Sequence, residues 1–192
     1  MNTERLTIRI MQHSDVELAR MLHNRDDVLE NLTDPTYVNE ERQVEWFRHL
    51  CTSNTSQRFA VYTPANACDP MCCPPQFVGV FRIDMLDYVN KSVMVGMDVA
   101  QEHRRKGYAK ETYEYFLKYF FQTLGFNRVY LYVLETNPDA LALYIKLGFH
   151  TEGRQRQAVF RHGRYVDYIM MSMLRAEYLG RKINDQVDTV RP

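Results

Sequence analysis

The sequence of residues 92–134 predicts a strand, a basic turn, a helix and a second strand in succession. Ser92–Val99 and Val129–Leu134 are short, largely apolar runs of the kind that form strands. Between them, residues 107–124 repeat apolar side chains every three or four positions, which predicts a helix that ends at Gly125. A chain that alternates these two periods is expected to form a mixed α/β domain.

The rest of the chain continues this mixture of strands and helices. Further strands are predicted at residues 6–10, 59–62, 77–84, 149–160 and 165–173, and further helices at 14–22, 39–50 and 137–147. The expected order is β-α-α-β-β-β-α-β-α-β-β, without internal repeats or a linker. We expect one domain over residues 1–179, followed by a polar C-terminal tail at 180–192 that is frayed.

Charge and hydropathy exclude several classes of function. The formal net charge is 0, whereas general nucleic-acid and membrane-surface binders usually carry a basic excess. The charged N-terminus does not resemble a signal peptide, and no apolar run has the length of a membrane span. We therefore expect a cytoplasmic protein with neither nucleic acid nor membrane as partner.

The cysteines are concentrated in one segment, CDPMCC. Cys68, Cys72 and Cys73 lie in a Pro-rich stretch that predicts a loop, and Cys51 stands apart. Zinc sites usually show two clean CxxC pairs, which this segment lacks. A surface loop with free thiols is the favoured interpretation, with a metal site or a disulfide as alternatives, and no metal is expected.

The basic turn within MDVAQEHRRKGYAKET has the features of an anion site. It follows a strand and opens a helix, whose first N–H groups have no partner within the helix. Gly107 lets the backbone approach a ligand closely, so a phosphate or pyrophosphate would fit. Neither a P-loop nor a dinucleotide fingerprint is present. On these features alone, an ordinary solvated helix start remains the alternative.

Two motifs in order resemble the signatures of the GNAT N-acetyltransferase superfamily. The first is R-x-x-G-x-A at Arg104, Gly107 and Ala109, and the second is ETNPDALALYIKLGF about 30 residues downstream. The likeness covers roughly residues 5–175, and its pattern is most similar to spermidine/spermine N-acetyltransferases and ribosomal-protein N-terminal acetyltransferases. It implies the GNAT fold, in which the central strand pair is splayed and the strand before the basic turn carries a bulge.

The resemblance also implies acetyl-CoA as the co-substrate. In this family the basic turn binds the pyrophosphate through backbone amides, and the pantetheine lies between the splayed strands. The implied cofactor-binding residues are Met97, Val99, Arg104, Arg105, Lys106, Gly107, Tyr108, Ala109, Lys110, Asn137, Ala140 and Tyr144.

By the same resemblance, an amine attacks the thioester directly and no acyl-enzyme forms. A free alkyl amine has a pKa near ~10.4, so a base must remove its proton. Tyr144 is the predicted general acid for the thiolate, and a backbone N–H near Val99 would polarise the carbonyl. A core tyrosine is the alternative for Tyr144. The base is left open by the sequence; its candidates are Asp98 and Glu135, each of which could instead be a strand-end cap or a surface charge.

The family resemblance implies that the acceptor binds on the first two helices and their connection. Residues 26–45 hold seven acids and one cation, and Asp26, Asp27, Glu30 and Glu41 are the predicted substrate-binding residues. Such a segment attracts polycations, which favours a polyamine such as spermidine or putrescine. The alternative to a substrate-binding role is an ordinary acidic helix face.

Other functions stay open on the sequence. The piece VEWFRHL also occurs in amino-sugar acetyltransferases, although a core role in the second helix explains it equally well. A 4-amino-sugar nucleotide or a protein N-terminus is therefore an alternative acceptor. A catalytically silent CoA-binding module is the alternative outside the enzymes. The family resemblance also allows a homodimer.

Overall fold

The computed structural model describes residues 1–65 and 74–188 of the chain. The strands are β1 (Thr7–Ile10), β2 (Gln57–Tyr62), β3 (Phe77–Asp87), β4 (Ser92–Val99), β5 (Arg128–Leu134), β6 (His150–Arg161) and β7 (Arg164–Leu174). The helices are α1 (Val16–His23), α2 (Asp26–Leu29), α3 (Glu40–Thr52), α4 (Tyr108–Lys118), α5 (Pro138–Leu147) and α6 (Arg175–Asp188). Every predicted strand and helix is present, and the mixed α/β fold is confirmed.

The strands form one open seven-stranded sheet in the order β1-β2-β3-β4-β5-β7-β6. Most neighbouring pairs run antiparallel, but β4 and β5 are parallel. Their register joins Ser92–Met94 to Arg128–Tyr130, which are only the first three residues of each strand. Pairing limited to these residues is what the predicted splayed strand pair requires.

The described residues group into two compact units. The first unit comprises residues 1–85 and 95–115. In it, the apolar faces of α1, α2 and α3 share a buried cluster with Val80 of β3 and with Met11 and Ala100, which directly follow β1 and β4. Phe81 of β3 meets Tyr113 of α4 edge to face, with ring centroids 5.2 Å apart.

The second unit comprises residues 86–94 and everything from residue 116 onward. Its centre is β7, which pairs with β5 along the whole length of that strand, from Arg128 opposite Leu174 to Leu134 opposite Tyr168. On the other side of β7 lies β6, whose register shifts twice. The prediction of one domain over residues 1–179 stays a prediction.

Two helices were not predicted, and both depend on tertiary contacts. The four-residue helix α2 buries Val28 and Leu29 in the first unit. The helix α6 extends through most of the segment expected to be a frayed polar tail. At its start, Arg175 donates to the carbonyl of Phe121, and Tyr178 packs on the Phe121 ring at 5.1 Å.

The predicted loop with Cys68, Cys72 and Cys73 lies outside the described residues, and Cys51 is an exposed free thiol. Within residues 1–65 and 74–188, no cluster of three metal-binding side chains was found. Over the same ranges, no helix combines the length and the apolar character needed to cross a membrane.

Candidate active site

The basic turn after β4 has an unusual backbone. Arg105 and Gly107 both adopt left-handed conformations, with φ of +58° and +83°. For a residue with a side chain this conformation costs about 1–2 kcal/mol, so the surroundings must stabilise the turn at Arg105. The helix α4 begins directly afterwards at Tyr108. A helix start preceded by such a turn suits an anion, as the sequence predicts.

Three residues that the sequence did not single out hold this turn in place. The Nη1 of Arg5 donates to the carbonyl of Lys106 at 3.0 Å, and its Nε donates to Glu111 at 2.8 Å. The backbone N–H of Arg5 and the hydroxyl of Thr3 donate to the same Glu111 carboxylate. Burial raises the pKa of Glu111, but these hydrogen bonds outweigh it and hold the pKa below its usual value.

The predicted cofactor-binding cations differ in their surroundings. Arg104 turns towards the protein, where its Nε donates to the carbonyl of Val99 and its guanidinium pairs with Asp27. Lys110 pairs with Glu114 one turn along α4, at 3.2 Å. Arg105 and Lys106 are exposed. Because the Arg104 guanidinium pairs with Asp27, a phosphate would have to compete with that carboxylate for it.

The first turn of α4 also rests on a buried histidine. His103 is only 5% exposed, and its ring lies 6.0 Å from that of Tyr108. Burial lowers the pKa of His103, and the nearby charge of Lys106 lowers it further. The buried His103 ring therefore packs beside the predicted residue Tyr108, a role that no sequence signal indicated.

The second motif forms α5 by the signals predicted for it. The side chain of Asn137 caps the helix by accepting from the N–H of Ala140 at 3.1 Å, Pro138 occupies the first turn, and Gly148 ends the helix at φ +91°. The cap engages one lone pair of the side-chain oxygen, so both that oxygen and the NH₂ group of Asn137 stay compatible with the predicted pantetheine contact. Tyr144 is buried, with its ring edge against Phe149 at 5.9 Å.

The two candidate bases lie in different environments. Glu135 is bound within the second unit, where it accepts from Arg154 at 3.0 Å and from the backbone N–H of Asp167 at 3.1 Å. Asp98, at the end of β4 in the first unit, has a longer contact of 3.4 Å with Arg82. Because its ion pair with Arg82 is longer than the contacts of Glu135, the carboxylate of Asp98 can exchange Arg82 for another partner more readily.

Gly79 in β3 allows the end of β4 to approach. A Cβ at this position would lie 2.0 Å from the carbonyl oxygen of Asp98, a distance that no real contact tolerates. The N–H of Ala100 then donates to the carbonyl of the adjacent Val78 at 3.0 Å. The position of Asp98 and Val99 therefore depends on the absence of a side chain at Gly79, a requirement with no recognisable sequence signal.

A cavity of about 380 Å³ opens in the first unit, lined by α1, α3, the segment between α2 and α3, and the sheet. Its lining carboxylates are Asp34 and Asp98, and its apolar wall includes Trp46. Its arginines are Arg42, Arg58 and Arg82. Arg58 pairs with Asp84 at 2.9 Å and Arg82 pairs with Asp98, so most of this positive charge is balanced by carboxylates.

The four predicted acceptor carboxylates are separate from the described lining of this cavity. Asp26 accepts from the hydroxyl of Tyr37 at 2.6 Å, while Glu30 and Glu41 are exposed. Asp27 is tied to Arg25 and Arg104. Burial raises the pKa of Asp27, but the Arg25 hydrogen bond and the Arg104 charge prevail and lower it. Among the described lining residues, none of these four acids is included.

Asp34 is the cavity carboxylate that the sequence did not select. It accepts hydrogen bonds from the hydroxyl and the backbone N–H of Thr36, and these bonds lower its pKa. The sequence signal was present, since Asp34 precedes Pro35 in a turn and belongs to the acidic run.

Comparison with known proteins places these features in a family. Residues 5–150, more than half of the chain, match the model of the acetyltransferase (GNAT) domain. The chain belongs to the GNAT acetyltransferase family. It is accordingly an N-acetyltransferase with acetyl-CoA as the donor, as the sequence predicts. The fold agrees, and the turn at residues 104–107 offers backbone and exposed cations that fit the pyrophosphate.

The relatives of this GNAT chain match it over nearly its whole length. The spermidine N(1)-acetyltransferase of Vibrio cholerae is 27% identical over 181 residues, covering 94% of this chain and 99% of the relative. A putative ribosomal N-acetyltransferase of Bacillus subtilis is 26% identical and covers 93% of this chain and 96% of its own.

Solved structures of the Vibrio cholerae spermidine N-acetyltransferase are also similar to this chain. Its complex with CoA and spermine superimposes with a TM-score of 0.82 at 26% identity, over 92% of this chain and 99% of that one. A dodecameric form superimposes with a TM-score of 0.76 at 27% identity, over 93% and 99% of the two chains.

Proposed function

We propose that this acetyltransferase moves the acetyl group of acetyl-CoA to a primary amine of a polyamine such as spermidine. The observation that carries the proposal is the acidic rim, which we define as the six exposed acids Asp26, Glu30, Asp34, Glu40, Glu41 and Glu45. Asp34 lines the cavity of the first unit, and Glu40, Glu41 and Glu45 lie on α3, which contributes Trp46 to its wall. The similarity to spermidine acetyltransferases over nearly the whole chain supports it.

The acidic rim suits a polycation for an electrostatic reason. Residues 26–45 contain a single cation, Arg42, so their field attracts positive ligands and raises their local concentration. Inside the cavity, Asp34 and Asp98 offer carboxylates to an ammonium group, and Trp46 offers apolar surface to a methylene chain. A cavity of about 380 Å³ is within the range that binds small ligands.

Asp98 is our choice of base for the acceptor amine. An alkyl ammonium with a pKa near ~10.4 must lose a proton before it can attack a thioester. Asp98 lines the cavity and is held by one longer ion pair, whereas Glu135 is bound by Arg154 and the backbone at Asp167. We assign Asp98 to proton removal through a bridging water.

Tyr144 remains the proposed general acid for the departing thiolate. Its burial and the edge contact with Phe149 fix the ring, so its hydroxyl is held in one direction. The backbone N–H of Val99 is proposed to polarise the thioester carbonyl. Tyr144→Phe keeps the ring contact and removes only the hydroxyl, so kcat should fall about 100-fold with CoA affinity unchanged. An unaltered kcat would remove Tyr144 as the acid.

An acceptor screen tests the proposed function. The purified protein is incubated with acetyl-CoA and one of four acceptors: spermidine, putrescine, a basic peptide with a free N-terminus, or a 4-amino-sugar nucleotide. Release of the CoA thiol is measured over time. We expect the highest kcat/KM for a polyamine, by about tenfold or more. A preference for the peptide or the sugar nucleotide would reject the polyamine, and no turnover with any amine would favour a binding module.

We also propose that the chain forms an oligomer. The dodecameric form of the Vibrio cholerae enzyme supports an oligomer of this chain, and the sequence allows a homodimer as its smallest unit. Mass measurement by light scattering distinguishes a dimer from larger assemblies. The cytoplasmic location stays a prediction.

A further inference from the structure

We propose that Arg5 and Glu111 are positioning residues for the acetyl donor, because they set the backbone conformation of the turn at residues 104–107. Together with Thr3 they form a group that we name the N-terminal clasp. The proposal goes beyond the polyamine specificity argued above. It rests on the assignment of this turn to the cofactor.

The clasp is built around the half-buried Glu111 carboxylate, whose side chain is 15% exposed. Arg5 contacts it through three groups, the backbone N–H at 2.9 Å and the Nε and Nη2 at 2.8 Å each, and the hydroxyl of Thr3 is a fourth donor. The guanidinium also lies over the ring of Tyr108, 5.3 Å from its centroid. These contacts leave the planar guanidinium group of Arg5 few alternative orientations, so its remaining N–H groups point in a defined direction.

One of those N–H groups orients the peptide in the middle of the turn. Arg5 Nη1 donates to the carbonyl of Lys106, the residue between the left-handed Arg105 and Gly107. In a planar trans peptide the C=O and the following N–H point in opposite directions. Holding the Lys106 carbonyl towards Arg5 therefore aims the N–H of Gly107 away from the clasp. An amide that binds pyrophosphate needs this kind of fixed direction.

Gly107 is also matched to the clasp by its size. A Cβ at this position would lie 3.2 Å from Nη2 of Arg5, closer than most contacts of that type. A larger residue would push the guanidinium away or move the turn. The left-handed φ of Gly107 and the position of Arg5 thus constrain the same peptide from two sides.

A purely stabilising ion pair is the competing explanation, and the chain contains a matched control for it. In the second unit, Glu152 binds the guanidinium of Arg128 and the hydroxyl of Ser172, so it has the same kinds of partner as Glu111. Glu152 lies on β6 and is outside the predicted cofactor and acceptor residues. Loss of either carboxylate should lower stability, but only loss of Glu111 should affect the cofactor turn.

The experiment measures the affinity for coenzyme A by calorimetric titration and, in parallel, the thermal midpoint of unfolding. The variants are Arg5→Gln, Arg5→Lys, Glu111→Gln and the control Glu152→Gln, with Gly107→Val as a direct change to the turn. We expect about tenfold weaker CoA binding for Arg5→Gln and Glu111→Gln, and a Kd within about twofold of the unaltered protein for Glu152→Gln. Arg5→Lys should fall between, since an ammonium keeps the charge but loses the fork.

Two results would overturn the proposal. In one, Arg5→Gln and Glu111→Gln bind CoA as Glu152→Gln does, which makes the clasp a stabilising contact only. In the other, Gly107→Val retains full CoA affinity, which removes the cofactor from this turn and the clasp with it. Because titration with CoA requires no acceptor amine, a failure of the polyamine proposal would leave this result unaffected.

Discussion

The proposed cofactor turn at residues 104–107 and the acidic segment at residues 26–45 present charge in different ways. In the turn, the proposed binding groups belong to the backbone, and their direction comes from left-handed residues and a helix start. In the acidic segment, the proposed binding groups are side chains, and several already have protein partners. Asp27 pairs with Arg104 of the turn itself. A backbone site is thus readable from local sequence, whereas a side-chain site depends on which partners the fold brings near.

The largest expected effect tests the backbone character of the cofactor turn. Gly107→Val introduces a β-branched side chain at φ +83° and 3.2 Å from Arg5, so the turn must change its conformation. We expect CoA binding to weaken by about 100-fold, against less than about tenfold for Lys106→Ala, which removes only an exposed charge. The measurement is calorimetric titration with CoA. A greater loss in Lys106→Ala than in Gly107→Val would show that side-chain charge dominates.

A medium effect is expected when single carboxylates of the acidic segment are neutralised. Asp34 lines the cavity, whereas Asp26 lies outside its described wall and accepts from Tyr37. Asp34→Asn should raise the KM for spermidine about five- to tenfold, and Asp26→Asn less than about twofold. Initial rates at saturating acetyl-CoA provide both values. Equal effects of the two substitutions would mean that the whole rim, rather than the cavity carboxylate, recognises the polyamine.

The smallest effect concerns the pH dependence of stability at the clasp. The folded state holds the pKa of Glu111 below its ordinary value of 4.5. Its contribution to the free energy of unfolding is therefore complete above that ordinary value and disappears as pH falls through the folded pKa. Because the pair is partly exposed, the advantage of the unaltered protein over Glu111→Gln near neutrality should be about 1 kcal/mol.

Denaturant unfolding of both proteins between neutral and acidic pH checks this. The two curves of unfolding free energy against pH should converge in acid. If the difference stays constant over the range, the Glu111 carboxylate has no special environment, and the contrast between the well-anchored turn and the acidic segment would be weaker.

The sequence predicted those parts of the molecule whose signals are local. The helix α5 begins and ends where the sequence predicts, with Asn137 and Pro138 at its start and Gly148 at its end. Gly107, the glycine after the basic cations, adopts the left-handed backbone conformation that glycine permits. The helix α2 was missed because it has only four residues and is fixed by buried Val28 and Leu29. The helix α6 was missed because its sequence is mostly polar. The packing of Tyr178 on Phe121, which holds this helix, cannot be seen from the sequence.

By itself, the sequence determined the family and the order of all the strands and most of the helices, and it predicted the cofactor turn, since periodicity, caps and glycine positions act over a few residues. Only the tertiary structure decided which charged side chains form ion pairs with one another. Arg5 and Glu111 are 106 residues apart and Asp27 is far from Arg104 along the chain, yet each pair is in contact. Such contacts form when the chain folds, because ion pairs depend on distance in space and not on spacing in sequence.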